Sequence, residues 1–199
     1  MTTPRQRLER TLQVLHDELD RGLRSFHAAR AIHARGLESG SSIFTTFHNA
    51  CIDETCLVLS RMVIVKGRYS RNESVNLNYL LRQVENHPGL FRFAKPGEIG
   101  ELIKNHARLL EAHRPLLDSL EERRDHNLAH LDRKNINTPQ QRTDQREFDL
   151  AQIELLYQGL ARLLDSCWKM HYGSQPDRPD WQTITEQEIE NLDKTLRSR

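Results

Sequence analysis

An all-α fold, a bundle of about five to seven helices with long antiparallel members, is what the sequence predicts, on three observations. Leu8, Leu12, Leu15, Leu19, Leu23 and Phe26 recur every three or four residues, drawing one apolar stripe down a helix. Turn formers are few, with 9 glycines and 7 prolines in 199 residues. Aromatic residues make up only 6%, too few for a sandwich or barrel built from many turns and aromatic-rich strands. The length suits a single domain over residues 1–199.

Pro4 after Thr3 suits a first helical position and Gly36 suits an exit, so the first helix is expected over residues 4–35. On it, Arg21, Arg24, Arg30 and Arg35 alternate with acids and read as ordinary surface charge. After a Gly/Ser connector, a second helix over about 42–66 is expected to carry Phe44, Phe47, Cys51, Val58, Met62 and Val65 inward and to stop at Gly67. A third, over about 74–85, turns Leu77, Leu81 and Val84 inward. Residues 86–97, with two Pro-Gly pairs, form a loop that doubles back. Residues 98–133 are helical except at Pro115, whose missing N–H predicts a kink or break and a separate helix over about 114–133. Residues 134–143 are the most polar stretch and read as an exposed loop. Helix resumes over 144–172, with Phe148, Ile153, Leu156, Leu160, Leu163, Leu164 and Trp168 inward. Thr185 and Glu188 have the spacing of a capping box, which predicts a last helix over about 184–198. Both C-terminal helices are expected to pack on the 114–133 helix.

Composition excludes several classes. The longest apolar runs, Met62–Val65 and Cys56–Leu59, fall far short of the ~20 residues of a membrane span. Met1–Arg10 is charged with no apolar stretch behind it, so no secretory signal is expected. Three cysteines without metal-ligand spacing fit a reducing cytoplasm. A net charge of +1 means that contact with nucleic acid must come from a local patch rather than a global field.

The pattern breaks at residues 121–132, Glu-Glu-Arg-Arg-Asp-His-Asn-Leu-Ala-His-Leu-Asp. On an ideal helix Leu117, Leu120, Leu128 and Leu131 share one narrow face, with Arg124 at its centre and Asn127 at its edge. A guanidinium within an apolar stripe is costly unless paired or facing a cavity. It fits either a structural arginine bonded to a core carboxylate or a polar pocket at an interface. His130 lies about 120° from Arg124 around the helix. For both to meet one substrate, the helix must bend locally or a second chain must complete the site. Glu122, His126 and His130 share a stripe at one-turn spacing, which also admits a metal site, although no second Glu-x-x-His exists to complete it.

Arg124-Asp125, four intervening residues and His130 resemble the signature of HEPN domains, and the run from Arg124 to Lys134 is similar to the abortive-infection (AbiU-like) branch. The resemblance implies a HEPN-like helical homodimer in which the motif helices of two protomers meet across a two-fold axis. It implies a metal-independent endoribonuclease of a toxin–antitoxin or phage-defence system, with RNA as substrate, no cofactor, a cognate antitoxin protein as partner and a cytoplasmic location. Arg124 and His130 are then the catalytic pair. His126 stands where the branch usually has lysine. Asp132 stands where relatives silenced by adenylylation carry a tyrosine, so that mode of silencing is not expected here.

These side chains suit the chemistry. Histidine titrates near neutrality and can take the 2′-hydroxyl proton or return one to the 5′-oxygen. A fixed guanidinium stabilises the charge gathering on phosphorus-bound oxygens. Asp125 can orient Arg124 or a histidine, and Asn127 can contact ribose or phosphate. Arg61, Lys66, Arg68 and Arg71 form a basic run around Tyr69, and Arg123, Arg133 and Lys134 surround the motif. Together they are the expected RNA path, against the plainer reading of cations at a solvated helix end. Two other functions stay open: a catalytically silent helical dimerisation or binding module, and a metal-binding bundle with Glu122, His126 and His130 as ligands.

Overall fold

Thr3 opens the first helix, α1 (Pro4–Ala34). Its Oγ1 accepts the Gln6 backbone N–H at 3.2 Å, while its own N–H donates to Gln6 Oε1 at 3.0 Å, so two otherwise unpaired donors are satisfied reciprocally. Gly36, at φ 62°, takes the left-handed conformation that ends the helix. The structure is a computed structural model that describes residues 2–63, 75–130 and 149–198, with residues 123–130 described by their helical backbone alone. Within these residues the secondary structure is seven α-helices and two short 3₁₀ turns, with no strand.

The leucine stripe of α1 is the centre of the core. Leu8, Leu12, Leu15, Leu19 and Phe26 are fully buried, each worth roughly 1.5–3 kcal/mol of transfer free energy. Two helices run antiparallel to α1. On α2 (Ser42–Val63), Glu54 meets Arg21 at 2.9 Å, Val58 lies against Gly22, and Arg61 approaches Glu18 at 3.7 Å. On α6 (Leu150–Tyr172), Glu154 meets Arg30 at 2.7 Å, Tyr157 packs on Phe26, and Trp168 sits edge-on to His16. Along α6 the partner numbers rise as those of α1 fall, and along α2 they run from His48 beside His33 to Arg61 beside Glu18.

The last helix, α7 (Trp181–Arg197), lies along the outside of α1, with Glu188 on Arg24 and Glu190 on Arg35, each at 3.2 Å. The α1 arginines expected as ordinary surface charge therefore bridge to α2, α6 and α7. At exposed or half-buried positions, each such pair adds about 1 kcal/mol or less, and their main effect is on register.

Between α2 and α6, α3 (Leu77–Asn86) buries Leu77, Leu80, Leu81 and Val84, and Asn76 Oδ1 caps it by accepting the Tyr79 N–H at 2.9 Å. Then come α4 (Glu98–Ala112) and α5 (Arg114–His130). α4 packs on α6, where Leu109 covers Gly159 so closely that a Cβ would collide with it.

Among the described residues α7 packs chiefly on α1, α6 on α1 and α4, and α5 on α2 and α4. Two expectations need correction. The last helix begins at Trp181, three residues before the expected start. Asp180 caps it through the Thr183 N–H (3.2 Å), and Thr185 lies inside it with its hydroxyl on the Trp181 carbonyl. Phe47 is exposed, because Phe44 takes the inward position in a small second cluster with Ile32, Leu37 and Ile189. The expected ends of α2 beyond Val63 and the start of helix 144–172 before Asp149, with Val65 and Phe148, lie outside the described residues.

Candidate functional site

The break expected at Pro115 is present. α4 ends with His113 N–H on the Leu109 carbonyl (3.2 Å), and α5 starts at Arg114 with Pro115 in its first turn. A proline there loses no helical hydrogen bond, because first-turn N–H groups have no intrahelical acceptor. Downstream the backbone stays α-helical to His130. The motif Arg124-Asp125-(four residues)-His130 thus lies on one continuous helix, without a break that would bring its ends together.

Burial in the first turns of α5 fixes which side is covered. Leu120 is fully buried and Leu116 and Leu117 are half-buried, whereas Arg114, Pro115 and Asp118 are exposed. At about 100° per residue, the positions of Arg124 and Asn127 fall about 40° and 20° to either side of Leu120. The His130 and Asp125 positions fall about 80° and about 140° from Leu120. Arg124 and His130 remain about 120° apart, with the Asn127 position about 60° from each.

Of the expected RNA-contacting residues, Arg61 is described: half-exposed, it shares Glu18 with Arg21, which holds the same carboxylate at 2.6 Å. That sharing weakens the case for Arg61 as a free phosphate ligand. Arg123 lies on the α5 backbone. Lys66, Arg68, Arg71, Arg133 and Lys134, with Tyr69 and Asp132, lie outside the described residues. The continuous helix keeps Glu122, His126 and His130 at one-turn spacing. Among the described residues no group of three His, Cys, Asp or Glu side chains gathers to hold a metal. His106 and His113, two turns apart, are both buried, each with one ring nitrogen lacking a partner. Burial pushes both imidazoles below their ordinary pKa.

Sequence reasoning did not find a second cluster of polar groups, where the segment before α7 crosses α1 and α6. Arg178 there contacts Asp165, Asp20 and His16. These partners stand 13 to 162 positions away in the chain, so no local spacing could have signalled the cluster.

Neither the curated proteins nor the solved structures contain a match to this chain. A family model described as AbiU2, within the HEPN domains, matches residues 5–195, from the first turn of α1 to the last turn of α7. A match over nearly the whole chain, on an all-α fold with the arginine–histidine motif on one helix, makes this chain a member of the AbiU2 family of HEPN proteins.

Proposed function

We propose that the protein is a metal-independent endoribonuclease of a toxin–antitoxin or phage-defence system, cleaving RNA at a composite site formed by two copies of the chain. The observation that carries this reading is the continuity of α5 through the motif. With Arg124 and His130 about 120° apart on an unbroken helix, a second motif helix supplies the convergence that one helix lacks. HEPN membership supports a ribonuclease or defence role.

In this reading neutral His130 takes the proton of a ribose 2′-hydroxyl, and the oxygen attacks the adjacent phosphorus. The bond to the 5′-oxygen breaks, and that oxygen picks up a proton as it leaves. The products are a 2′,3′-cyclic phosphate and a 5′-hydroxyl. Arg124 holds the negative charge of the crowded phosphorus in the transition state, and Asn127, between them on the helix, positions the ribose or phosphate. Asp125 orients the arginine. Arg123, with Lys66, Arg68, Arg71, Arg133 and Lys134, guides the strand by charge. The chemistry calls for no cofactor, a cytoplasmic location gives access to RNA, and a cognate antitoxin protein restrains the enzyme. No helix among the described residues is long and apolar enough to cross a membrane.

The test is cleavage of single-stranded RNA by the purified chain in the presence of a chelator. Arg124→Ala and His130→Ala should each slow cleavage by on the order of 100-fold or more. Equal activity in all three proteins contradicts the assignment.

A further inference from the structure

The first turns of α1 and the outward flank of α3 enclose a cleft of about 270 Å³. Leu77, Leu80, Leu81 and Val84 turn into the core, which leaves Tyr79, Arg82, Gln83 and Asn86 to line the cleft, with Arg7 opposite on α1. The Arg7 and Arg82 guanidiniums form no ion pair or side-chain hydrogen bond among the described residues. Arg5, Arg21, Arg24 and Arg30 on the same helix each hold a carboxylate, whereas Arg7 faces the cleft without one. Two unpaired cations from different helices facing one cleft repel each other, and an anion between them removes that cost.

Three further features restrict the ligand. The first turn of α1, whose Pro4 reaches the cleft, contains no acidic residue, so its positive dipole end adds to the two arginines. Tyr79 offers a ring wall. Gln83 and Asn86 add amide side chains to the lining, groups able to accept from an N–H or O–H. The cleft wall is also fixed: His171 Nδ1 lies 3.0 Å from the carbonyl of Leu90, another lining residue, and its Nε2 lies 3.3 Å from Glu9 Oε1. A phosphate, a flat ring and a hydrogen-bond donor in one small space describe a nucleotide unit. The volume lies at the small end of ligand clefts and suits a single unit.

We infer that this cleft is a subsite for one nucleotide of an RNA strand, with the phosphate between Arg7 and Arg82 and the base stacked on Tyr79. The inference rests on the ribonuclease reading for its choice of RNA over a free nucleotide.

Two probes test it, both on the His130→Ala protein, so that RNA stays intact. Fluorescence anisotropy follows a labelled single-stranded oligoribonucleotide, and calorimetry follows adenosine 5′-monophosphate. The double substitution Arg7→Ala with Arg82→Ala should weaken RNA binding about tenfold or more and lower the salt slope by roughly 0.7, the expectation for one phosphate of a single strand. Tyr79→Ala should weaken it about fivefold or more, and Tyr79→Phe should not. Arg7 and Arg82 are exposed, so the double variant should melt like its parent. Loss of mononucleotide binding with RNA binding unchanged overturns the RNA subsite in favour of a free-nucleotide site. No change with either probe overturns the site entirely. Cleavage by the unsubstituted chain, measured in parallel, judges the ribonuclease reading separately: cleavage with silent cleft variants removes only the cleft, and RNA held in the cleft without cleavage removes only the ribonuclease.

Discussion

Arg178 holds one oxygen of Asp165 with two nitrogens, Nε at 2.8 Å and Nη2 at 2.7 Å. Its Nη1 donates to Asp20 at 3.2 Å, and Nη2 also donates to Nδ1 of the buried His16 at 2.9 Å. One side chain from the segment before α7 thus ties that segment to α1 and α6. Because Arg178 donates to it, Nδ1 of His16 must be an unprotonated acceptor. Burial first, and the Arg178 cation second, push the His16 imidazole down to about 4.

The shift has a definite sign. A group whose folded pKa lies below its unfolded value of about 6.5 takes up protons preferentially on unfolding. Its contribution is complete above about pH 6.5 and is lost as pH falls toward 4, by on the order of 3 kcal/mol. Burial lowers His27, His106 and His113 in the same direction. Urea melts should therefore show stability falling steadily between pH 6.5 and 4, with a shallower fall for His16→Phe. An identical pH slope in the variant contradicts this account.

Two helical glycines should answer oppositely to alanine. A Cβ at Gly22 would run into the Tyr157 hydroxyl and Val58, both buried where α1, α2 and α6 meet, whereas one at Gly100 would meet nothing within 4 Å. Gly100→Ala should stabilise the protein by about 0.5–1 kcal/mol through helix propensity. Gly22→Ala should destabilise it by about 1–3 kcal/mol, because overpacking outweighs that gain. Thermal melts of the two variants check both signs.

What was legible in the sequence was local. The three- and four-residue spacing of the α1 leucines marks a stripe that the structure buries, and Thr3-Pro4 and Pro115 mark true helix boundaries. The Arg124–His130 spacing carried the family resemblance, and the family match bears it out. Thr185 misled because a threonine hydroxyl serves equally as a cap or as a bond to the carbonyl one turn back, and here it does the latter. The Arg178 cluster and the α1–α3 cleft were invisible for a different reason. Their members come from helices far apart in the chain, and only the fold brings them together.

A composite site makes a prediction that a single-chain site does not. Arg124→Ala and His130→Ala proteins, each nearly inactive, should regain activity when mixed and allowed to exchange subunits. One of the two sites in the mixed dimer then draws an intact arginine from one chain and an intact histidine from the other. No regain after exchange confirmed by native mass spectrometry contradicts a site shared in this way.

The most direct test of the central claim is the chemistry of the cut ends. RNA incubated with the unsubstituted protein in excess EDTA should yield fragments ending in 2′,3′-cyclic phosphate and beginning with 5′-hydroxyl, and the His130→Ala protein should yield almost none. Fragments bearing 5′-phosphate, or cleavage that requires an added divalent metal, would contradict it.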